Sequence, residues 1–248
     1  MRPLLGVLSV ADALVHLFRD QAEIAEAFGV IGGLLAEIPT RPSPREGKPK
    51  VQKAPRVAVL VLAAGKSSRM GSNKLLADLA GKPMIRHTVE SISGAGLHAI
   101  TVVTGRDAPE VESALAGLPV RFVHNAAYAD GLSTSLRAGL AELGEADAVL
   151  VCLGDMPRVS AAVVSKLIAA FNPAEHRSIC VPVFNGKMGN PVLWSARYFD
   201  EMRKLTGDRG ARELIAAFSE DVVEVAMPDD AVLDDIDTPD ALERLRER

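Results

Sequence analysis

The sequence has few cysteines, few aromatic residues and no excess of positive charge. Its 248 residues include 2 cysteines and 4% aromatic residues, and the formal net charge is -4. Both cysteines lie in apolar runs without CxxC or His/Cys spacing, so neither a zinc site nor a disulfide framework is expected. The charge balance argues against polymeric nucleic acid as a partner and leaves room only for a local cationic pocket that binds a small anion.

Long hydrophobic runs are also missing. No apolar stretch approaches the roughly 18 residues that a membrane span requires, so no membrane partner is expected. The N-terminal stretch contains Asp12 and lacks a small-residue cleavage site, which favours an amphipathic helix over a signal peptide. Unpaired core thiols fit a reducing compartment, and a cytoplasmic location is therefore predicted.

Composition divides the chain into three predicted parts. Residues 1–39 form a helical N-terminal segment, and residues 40–55, rich in proline and lysine, form an extended linker. Residues 56–248 alternate between β-branched apolar runs and helical segments, which predicts an α/β domain with a mostly parallel sheet covered on both faces. The predicted strands are "RVAVLVLA", "AITVVTG", "VRFVHN", "AVLVCLG", "SICVPVF", "NPVLWS" and "VVEVAM".

The stretch "LAAGKSSRMGSNK" follows the first predicted strand. Gly65 and Gly71 allow backbone amides to approach an anion, while Arg69 and Lys74 bring full positive charges. This combination predicts a loop that binds a triphosphate. The spacing fits neither a Walker A loop nor the dinucleotide G-x-G-x-x-G pattern. The alternative is a flexible, solvated loop in which the glycines only allow the backbone to turn.

Two acidic motifs follow later in the chain. Asp155 stands in "CLGDMP" directly after a buried run, and Asp237 stands in "DDIDTPDALERL" just before a helix start at Thr238 and Pro239. Mg²⁺ prefers a few carboxylates together with phosphate oxygens, so Asp155 and Asp237 are the predicted metal ligands. Two alternatives stay open. Asp155 is also a typical turn or cap residue, and the second motif also reads as a solvated acidic corner that includes Asp229, Asp230, Asp234 and Asp235.

Three further loops combine glycine with small polar residues: "HNAAYADGLSTSLRAGL", "GKMGNPVLW" and "LTGDRGAREL". Such loops are expected to surround a nucleotide and a second phosphorylated substrate. Ser133 and Ser135 are candidates for hydrogen bonds to a base or ribose, with a helix N-cap as the alternative role. Lys82 is a candidate for an auxiliary phosphate contact or, alternatively, a solvated surface lysine.

Taken in order, "LAAGKSSRMGSNK", "GDMP", "GNP", "GDRGAR" and "DIDTPDAL" resemble the nucleotidyltransferases that attach a nucleoside monophosphate to molybdopterin, and most closely the molybdenum cofactor cytidylyltransferases. The resemblance runs from Arg56 to the C-terminal end. It implies a three-layer Rossmann-like nucleotidyltransferase fold with a mostly parallel mixed sheet. It also implies transfer of CMP from CTP to molybdenum-molybdopterin with release of pyrophosphate, and an apo molybdoenzyme as a possible recipient of the product.

The resemblance, with the loops above, assigns site residues. Catalytic roles fall to Arg69, Lys74, Asp155 and Asp237. The predicted nucleotide site comprises Leu62, Ala63, Ala64, Gly65, Arg69, Lys74, Lys82, Asn125, Ser133 and Ser135. The predicted acceptor site comprises Gly189, Asn190, Pro191, Asp208, Gly210 and Arg212.

The resemblance also favours CTP over GTP. The guanylyltransferase relatives tend to have a different residue before the metal-binding aspartate and an Asn-rich last motif, whereas this chain has Gly154-Asp155 and Asp235-Ile236-Asp237. The sequence departs from the cytidylyl pattern at Asn190, where that branch more often has histidine. Competing hypotheses are a molybdopterin guanylyltransferase, a sugar-phosphate nucleotidyltransferase, a glycosyltransferase using the D-x-D in Asp235 to Asp237, and a non-catalytic molybdopterin carrier.

Overall fold

The structure, a computed structural model, describes residues 54–65, 73–95, 97, 99–208, 211–236 and 238–246. All of these belong to the unit that extends from Ala54 to Arg248. The predicted N-terminal helical segment and nearly all of the predicted linker lie outside the described residues.

A mixed sheet of eight strands forms the centre of the domain. Its strands are β1 (Val57–Leu62), β4 (Ala99–Thr104), β5 (Val120–His124), β6 (Ala148–Leu153), β7 (Ile179–Phe184), β8 (Lys187–Met188), β9 (Val192–Ser195) and β10 (Val222–Ala226). The spatial order is β10-β7-β9-β6-β1-β4-β5, with β8 paired to β7. A separate two-stranded hairpin joins β2 (Asp78–Leu79) to β3 (Lys82–Pro83).

The directions of the strands identify the edge of the sheet at which a ligand is expected to bind. The pairs β1–β4, β1–β6, β4–β5 and β10–β7 are parallel. Strand β9 lies antiparallel between β6 and β7, with Val192 opposite Val151. The start of β9 therefore lies beside the carboxyl end of β6, at the edge where α/β sheets bind ligands.

Helices cover both faces of this sheet. They are α1 (Met84–Ser93), α2 (Ala108–Ala114), α3 (Leu132–Ala141), α4 (Ala161–Ala170), α5 (Phe199–Lys204), α6 (Arg212–Ala217) and α7 (Pro239–Arg246). Side chains of α1, α2 and α4 pack with alternate strand residues such as Val59 and Val61. Side chains of α3, α5 and α6 pack with Leu60 and Leu62 on the opposite face. The strands are apolar on both faces because both faces are covered.

The fold prediction is confirmed. All seven predicted strands are present, and helices alternate with most of them as expected. Helix α7 begins at Pro239, and Thr238 caps it by accepting a 3.2 Å hydrogen bond from the Ala241 amide. Both thiols, Cys152 and Cys180, are buried and unpaired as expected. Within the described ranges, none of the helices is long and apolar enough to cross a membrane.

Candidate active site

A lysine and an aspartate meet where β6 ends. Asp155 follows β6 after Gly154, whose amide donates a 3.0 Å hydrogen bond to the Leu62 carbonyl at the end of β1. Lys74 begins a short 3-10 turn, Lys74–Leu76. Its Nζ lies 2.5 Å from Asp155 Oδ2. Two of the predicted catalytic side chains are therefore in direct contact, although 81 residues separate them in sequence.

Burial makes this pair electrostatically unusual. Asp155 is only 9% exposed. Desolvation raises the pKa of its carboxyl above the usual range, and the neighbouring Lys74 charge opposes that rise. The second oxygen, Oδ1, is buried and has no hydrogen-bond partner among the residues that the structure describes. A buried carboxylate oxygen without a partner is energetically costly and is well suited to bind a cation.

The turn that carries Lys74 is fixed by its neighbour. Asn73 Oδ1 accepts a 3.0 Å hydrogen bond from the Leu75 amide, and Asn73 Nδ2 donates a 2.9 Å bond to Asp107 Oδ2. Asp107 lies just beyond the end of β4. The Asn73 side chain therefore connects two loops at the carboxyl edge of the sheet and restrains the backbone from which Lys74 extends.

The second acidic motif lies against the first through its backbone. The Ile236 amide donates a 3.2 Å hydrogen bond to the Asp155 carbonyl oxygen. Ile236 is 1% exposed and packs with Met84 of α1 and Leu242 of α7. Asp237, the next residue and a predicted metal ligand, lies outside the described residues.

An arginine bridges two aspartates of residues 229–236, hereafter the connecting segment. Arg158 lies 2.7 Å from an Asp230 oxygen and 2.8 Å from an Asp234 oxygen. Asp229 Oδ1 accepts a 2.9 Å hydrogen bond from the Ala231 amide and so caps a short 3-10 turn. Most of the acidic corner is therefore engaged in defined contacts rather than only solvated.

The connecting segment also holds the "GNP" loop. The Asn190 amide donates a 2.9 Å hydrogen bond to the Val232 carbonyl. A Cβ atom on Gly189 would lie 2.1 Å from that same carbonyl oxygen, so only glycine fits there. One short segment thus contacts Asp155 at Ile236 and the "GNP" loop at Val232.

An open cavity of about 720 Å³ lies beside the "GNP" loop. It is lined by Lys187, Met188, Gly189, Asn190, Val192, Arg212, Ile215, Ala216, Ser219, Val222 and Glu224. Three of the predicted acceptor residues, Gly189, Asn190 and Arg212, therefore share one cavity.

Most of the sequence that forms this site also matches a known protein family. Residues 59–223 match the model of the MobA-like NTP transferase domain. The chain belongs to the MobA-like NTP transferase family. By family it is a nucleotidyltransferase, and the matched range contains Lys74, Asp155 and most of the cavity lining.

This member of the MobA-like family is similar to proteins of known structure over most of its length, and to other relatives over a shorter stretch. Rv0371c from Mycobacterium tuberculosis H37Rv has a TM-score of 0.70 and 30% identity over 79% of this chain and 100% of its own. A nucleotidyl transferase from Methanothermobacter has a TM-score of 0.69 and 26% identity over 77% of this chain and 96% of its own. The bifunctional protein GlmU of Cellvibrio japonicus is 34% identical over 113 residues. These are 45% of this chain and 25% of GlmU, so the chain spans about a quarter of the length of that relative.

The predicted nucleotide residues occupy varied environments. The Ala63 amide donates to the Val103 carbonyl at 2.9 Å and so belongs to the sheet. Asn125 Nδ2 donates to Thr134 Oγ1 at 2.8 Å and to Ser135 Oγ at 3.0 Å. The buried Ser133 Oγ has no partner among the described residues. Lys82 is on the surface, where its Nζ pairs with Glu90 at 2.8 Å.

The N-cap alternative for the two serines is wrong. Helix α3 begins at Leu132, one residue before the first serine, and its N-cap is Gly131. Gly131 has a φ of 107°, which favours glycine. The Leu132 amide donates a 3.2 Å hydrogen bond to Asp208 Oδ1, so this predicted acceptor residue stabilises the start of α3. The predicted site residues Arg69 and Gly210, like the loop glycine Gly71, lie outside the described parts of the chain.

Three residues that organise the site were not predicted from the sequence. Asn73 and Asp107 join the turn of Lys74 to β4, and Arg158 holds the connecting segment. A signal existed for Arg158, because it follows "GDMP" directly and the acidic corner requires a compensating cation. No comparable pattern linked Asn73 to Asp107.

Proposed function

We propose that this chain transfers CMP from CTP to the terminal phosphate of molybdenum-molybdopterin and releases pyrophosphate. The observation that carries the proposal is the buried contact of Lys74 with Asp155, which leaves one Asp155 oxygen without a partner in the described parts of the chain. The ordered motifs support the choice of acceptor, and the form of the two acidic motifs supports CTP as the donor.

A divalent cation fits the residues present. Asp155 Oδ1 is a hard, buried oxygen ligand, and we propose Asp237 as the second protein ligand. Rv0371c, a relative with the same fold, has a structure described as a complex with manganese. Mg²⁺ is commonly held by one or two carboxylates together with substrate phosphates, which is the arrangement proposed here. When bound, Mg²⁺ would neutralise charge on the triphosphate.

The residues of the chain then have mainly positioning and electrostatic tasks. An oxygen of the acceptor phosphate attacks the α-phosphorus of CTP, and the bond from that phosphorus to the bridging oxygen of the β-phosphate breaks. The attacking oxygen is already anionic, so no general base is required, and the bond electrons leave with pyrophosphate. We propose that Lys74 and Arg69 stabilise the charge on the departing pyrophosphate, while the cavity beside the "GNP" loop orients the acceptor.

The test is a donor and acceptor panel with the full-length chain. Each of the four labelled NTPs is incubated with Mg²⁺ and molybdenum-molybdopterin, and pyrophosphate release and the dinucleotide product are measured. The proposal predicts a preference for CTP of about 10-fold or more, as expected when polar base contacts discriminate. A preference for GTP would assign a guanylyltransferase. Turnover with a sugar 1-phosphate but not with molybdopterin would assign a sugar-phosphate nucleotidyltransferase, and tight molybdopterin binding without turnover would assign a carrier.

A cytoplasmic location belongs to the same proposal. It is supported by the two buried thiols, Cys152 and Cys180, which are unpaired. Burial raises the pKa of the Cys180 thiol to about 12, so it remains protonated and unreactive at neutral pH.

A further inference from the structure

The cavity beside the "GNP" loop combines apolar walls with charged side chains of both signs. Met188, Val192, Ile215 and Val222 supply apolar surface. Lys187 of β8, Arg212 of α6 and Glu224 of β10 supply the charges. A volume of about 720 Å³ is within the usual range for pockets that bind small organic molecules.

The three charged side chains differ from the other charges around the active site. Lys74, Asp155 and Arg158 are engaged in ion pairs. Lys187, Arg212 and Glu224, by contrast, have no ion pair or side-chain hydrogen bond in the part of the chain that the structure describes. These exposed groups can therefore bind a ligand without first breaking contacts inside the protein.

The position of Glu224 directs it to the cavity. Val222 and Glu224 are two residues apart on β10, so their side chains share one face of the sheet. Both line the cavity together with the apolar residues from β9 and α6. The Glu224 side chain therefore lies on the cavity side of β10, beside these apolar residues.

We propose that Glu224 recognises the ring of the acceptor, and that this ring is a planar heterocycle with two adjacent N–H donors. A carboxylate accepts two parallel hydrogen bonds from such an edge. The 2-amino-4-oxopyrimidine ring of a pterin has this edge at its 2-amino group and N3–H. Lys187 and Arg212 supply the positive charge that the phosphate of the acceptor requires. This inference rests on the proposed function and adds the atoms by which the acceptor is selected.

The test compares two ligands that differ in one group. 6-Hydroxymethylpterin carries the 2-amino group, and 6-hydroxymethyllumazine carries oxygen in its place. Binding of each to the full-length chain is measured by ligand fluorescence, without nucleotide. The wild-type chain is expected to bind the pterin about 10- to 100-fold more tightly, as expected for a hydrogen bond to a charged group. Glu224→Gln should reduce this preference to about threefold or less, because an amide offers one acceptor and one donor.

Glu110→Gln is the matched control. Glu110 is an exposed residue of α2 that does not line the cavity, so the preference should be unchanged. Equal binding of both ligands by the wild-type chain, no pterin binding at millimolar concentration, or an unchanged preference in Glu224→Gln would each overturn the inference.

The two proposals fail in different ways. If the chain shows a Glu224-dependent preference for the pterin but no CMP transfer to molybdopterin, the proposed function fails and the inference stands. If Glu224→Gln transfers CMP to molybdopterin with the wild-type KM, the inference fails and the proposed function stands.

Discussion

The Lys74–Asp155 pair and the cavity beside the "GNP" loop hold their charges in opposite ways. Lys74 and Asp155 are largely buried and in contact with each other, with side chains 16% and 12% exposed. Lys187, Arg212 and Glu224 are exposed and lack partners within the described ranges. Buried, restrained charges provide fixed electrostatic stabilisation for one reaction. Exposed, unpaired charges contribute little to the stability of the fold. Substituting them should therefore alter the choice of acceptor without disturbing the reaction centre.

The connecting segment links the Lys74–Asp155 pair to the cavity. It contacts Asp155 through the Ile236 amide and Asn190 through the Val232 carbonyl. Arg158 holds the same segment through ion pairs with two of its aspartates. Disturbing Lys74 or Asp155 should therefore affect every acceptor equally. Disturbing the cavity should affect acceptor choice, and disturbing Arg158 should affect both regions.

The largest effect is expected at Asp155. Asp155→Ala should lower Mg²⁺-dependent pyrophosphate release by about 10³-fold or more, because it removes the proposed metal ligand and the partner of Lys74. The fold should be retained, since the ionised carboxylate is held in its buried site against a desolvation penalty. Pyrophosphate release and circular dichroism measure the two expectations.

Asp200→Ala is the control for this variant, because Asp200 is 84% exposed and pairs with Arg203 on the surface of α5. It should keep wild-type turnover. Turnover by Asp155→Ala within about threefold of this control would remove the metal from the proposed function.

A smaller effect with a distinctive pH dependence is expected at Lys74. Lys74→Met should lower kcat by about 10²-fold, since one preorganised charge is lost. The Lys74 charge also lowers the pKa of Asp155, which burial raises. Without Lys74 that pKa should rise further, and Asp155 must be ionised to hold a cation. The acid limb of the pH–rate profile should therefore move to higher pH, and raising the pH should restore part of the activity.

Lys204→Met, at a surface pair with Glu201, provides the comparison. It should match the wild-type profile in both height and position. An unchanged acid limb in Lys74→Met would show that the Lys74–Asp155 contact does not control ionisation at the site.

Arg158→Gln should have a smaller effect that extends to both regions. Loss of its two ion pairs frees the connecting segment, and supporting residues of this kind contribute about 10-fold or more to activity. We expect a lower kcat and, unlike at Lys74, a higher KM for the acceptor, because the "GNP" loop is held by the same segment. Steady-state kinetics separate the two terms, with Arg203→Gln as the surface control. A change in kcat alone would mean that the segment does not support the cavity.

The sequence indicated the regular parts of this arrangement. Apolar strands and amphipathic helices are encoded locally by hydrophobic periodicity, which is why every predicted strand of the sheet is present. The placement of Lys74 in the loop that follows β1, and of Asp155 at the end of β6, followed from the same pattern. The antiparallel insertion of β9 between β6 and β7 did not, because strand pairing over long sequence separations leaves no local pattern.

The side-chain connections between loops were less predictable. The Asn73–Asp107 bond depends on two loops from separate strands approaching within 2.9 Å. Asn125, a predicted nucleotide contact, also donates hydrogen bonds to Thr134 and Ser135 inside the protein, and no pattern in the sequence indicated these partners. The internal partners of a polar loop residue depend on its neighbours in three dimensions, which the sequence does not specify.

The smallest effect on activity is expected at the opposite edge of the sheet, where Asp221 precedes β10. Asp221 is buried and accepts hydrogen bonds from the Tyr198 hydroxyl and from His176 Nδ1, and it pairs with Arg197. The Tyr198 hydrogen bond is the main cause of the lowered pKa of Asp221. Tyr198→Phe should leave turnover unchanged, because the reaction centre lies at the carboxyl ends of the strands. It should lower the free energy of unfolding by about 1.5 to 3 kcal/mol.

The pH dependence of unfolding tests this assignment. Because the pKa of Asp221 is lowered on folding, its contribution to stability is present above the ordinary aspartate value, about pH 4, and is lost as the pH falls through the folded value. Burial and Asp221 raise the pKa of Tyr198 to about 12, so its contribution is complete below pH 10 and is lost as the pH rises towards 12. The difference in unfolding free energy between wild type and Tyr198→Phe should therefore narrow at both extremes. A constant difference from pH 3 to pH 12 would mean that Tyr198 stabilises the domain through packing alone.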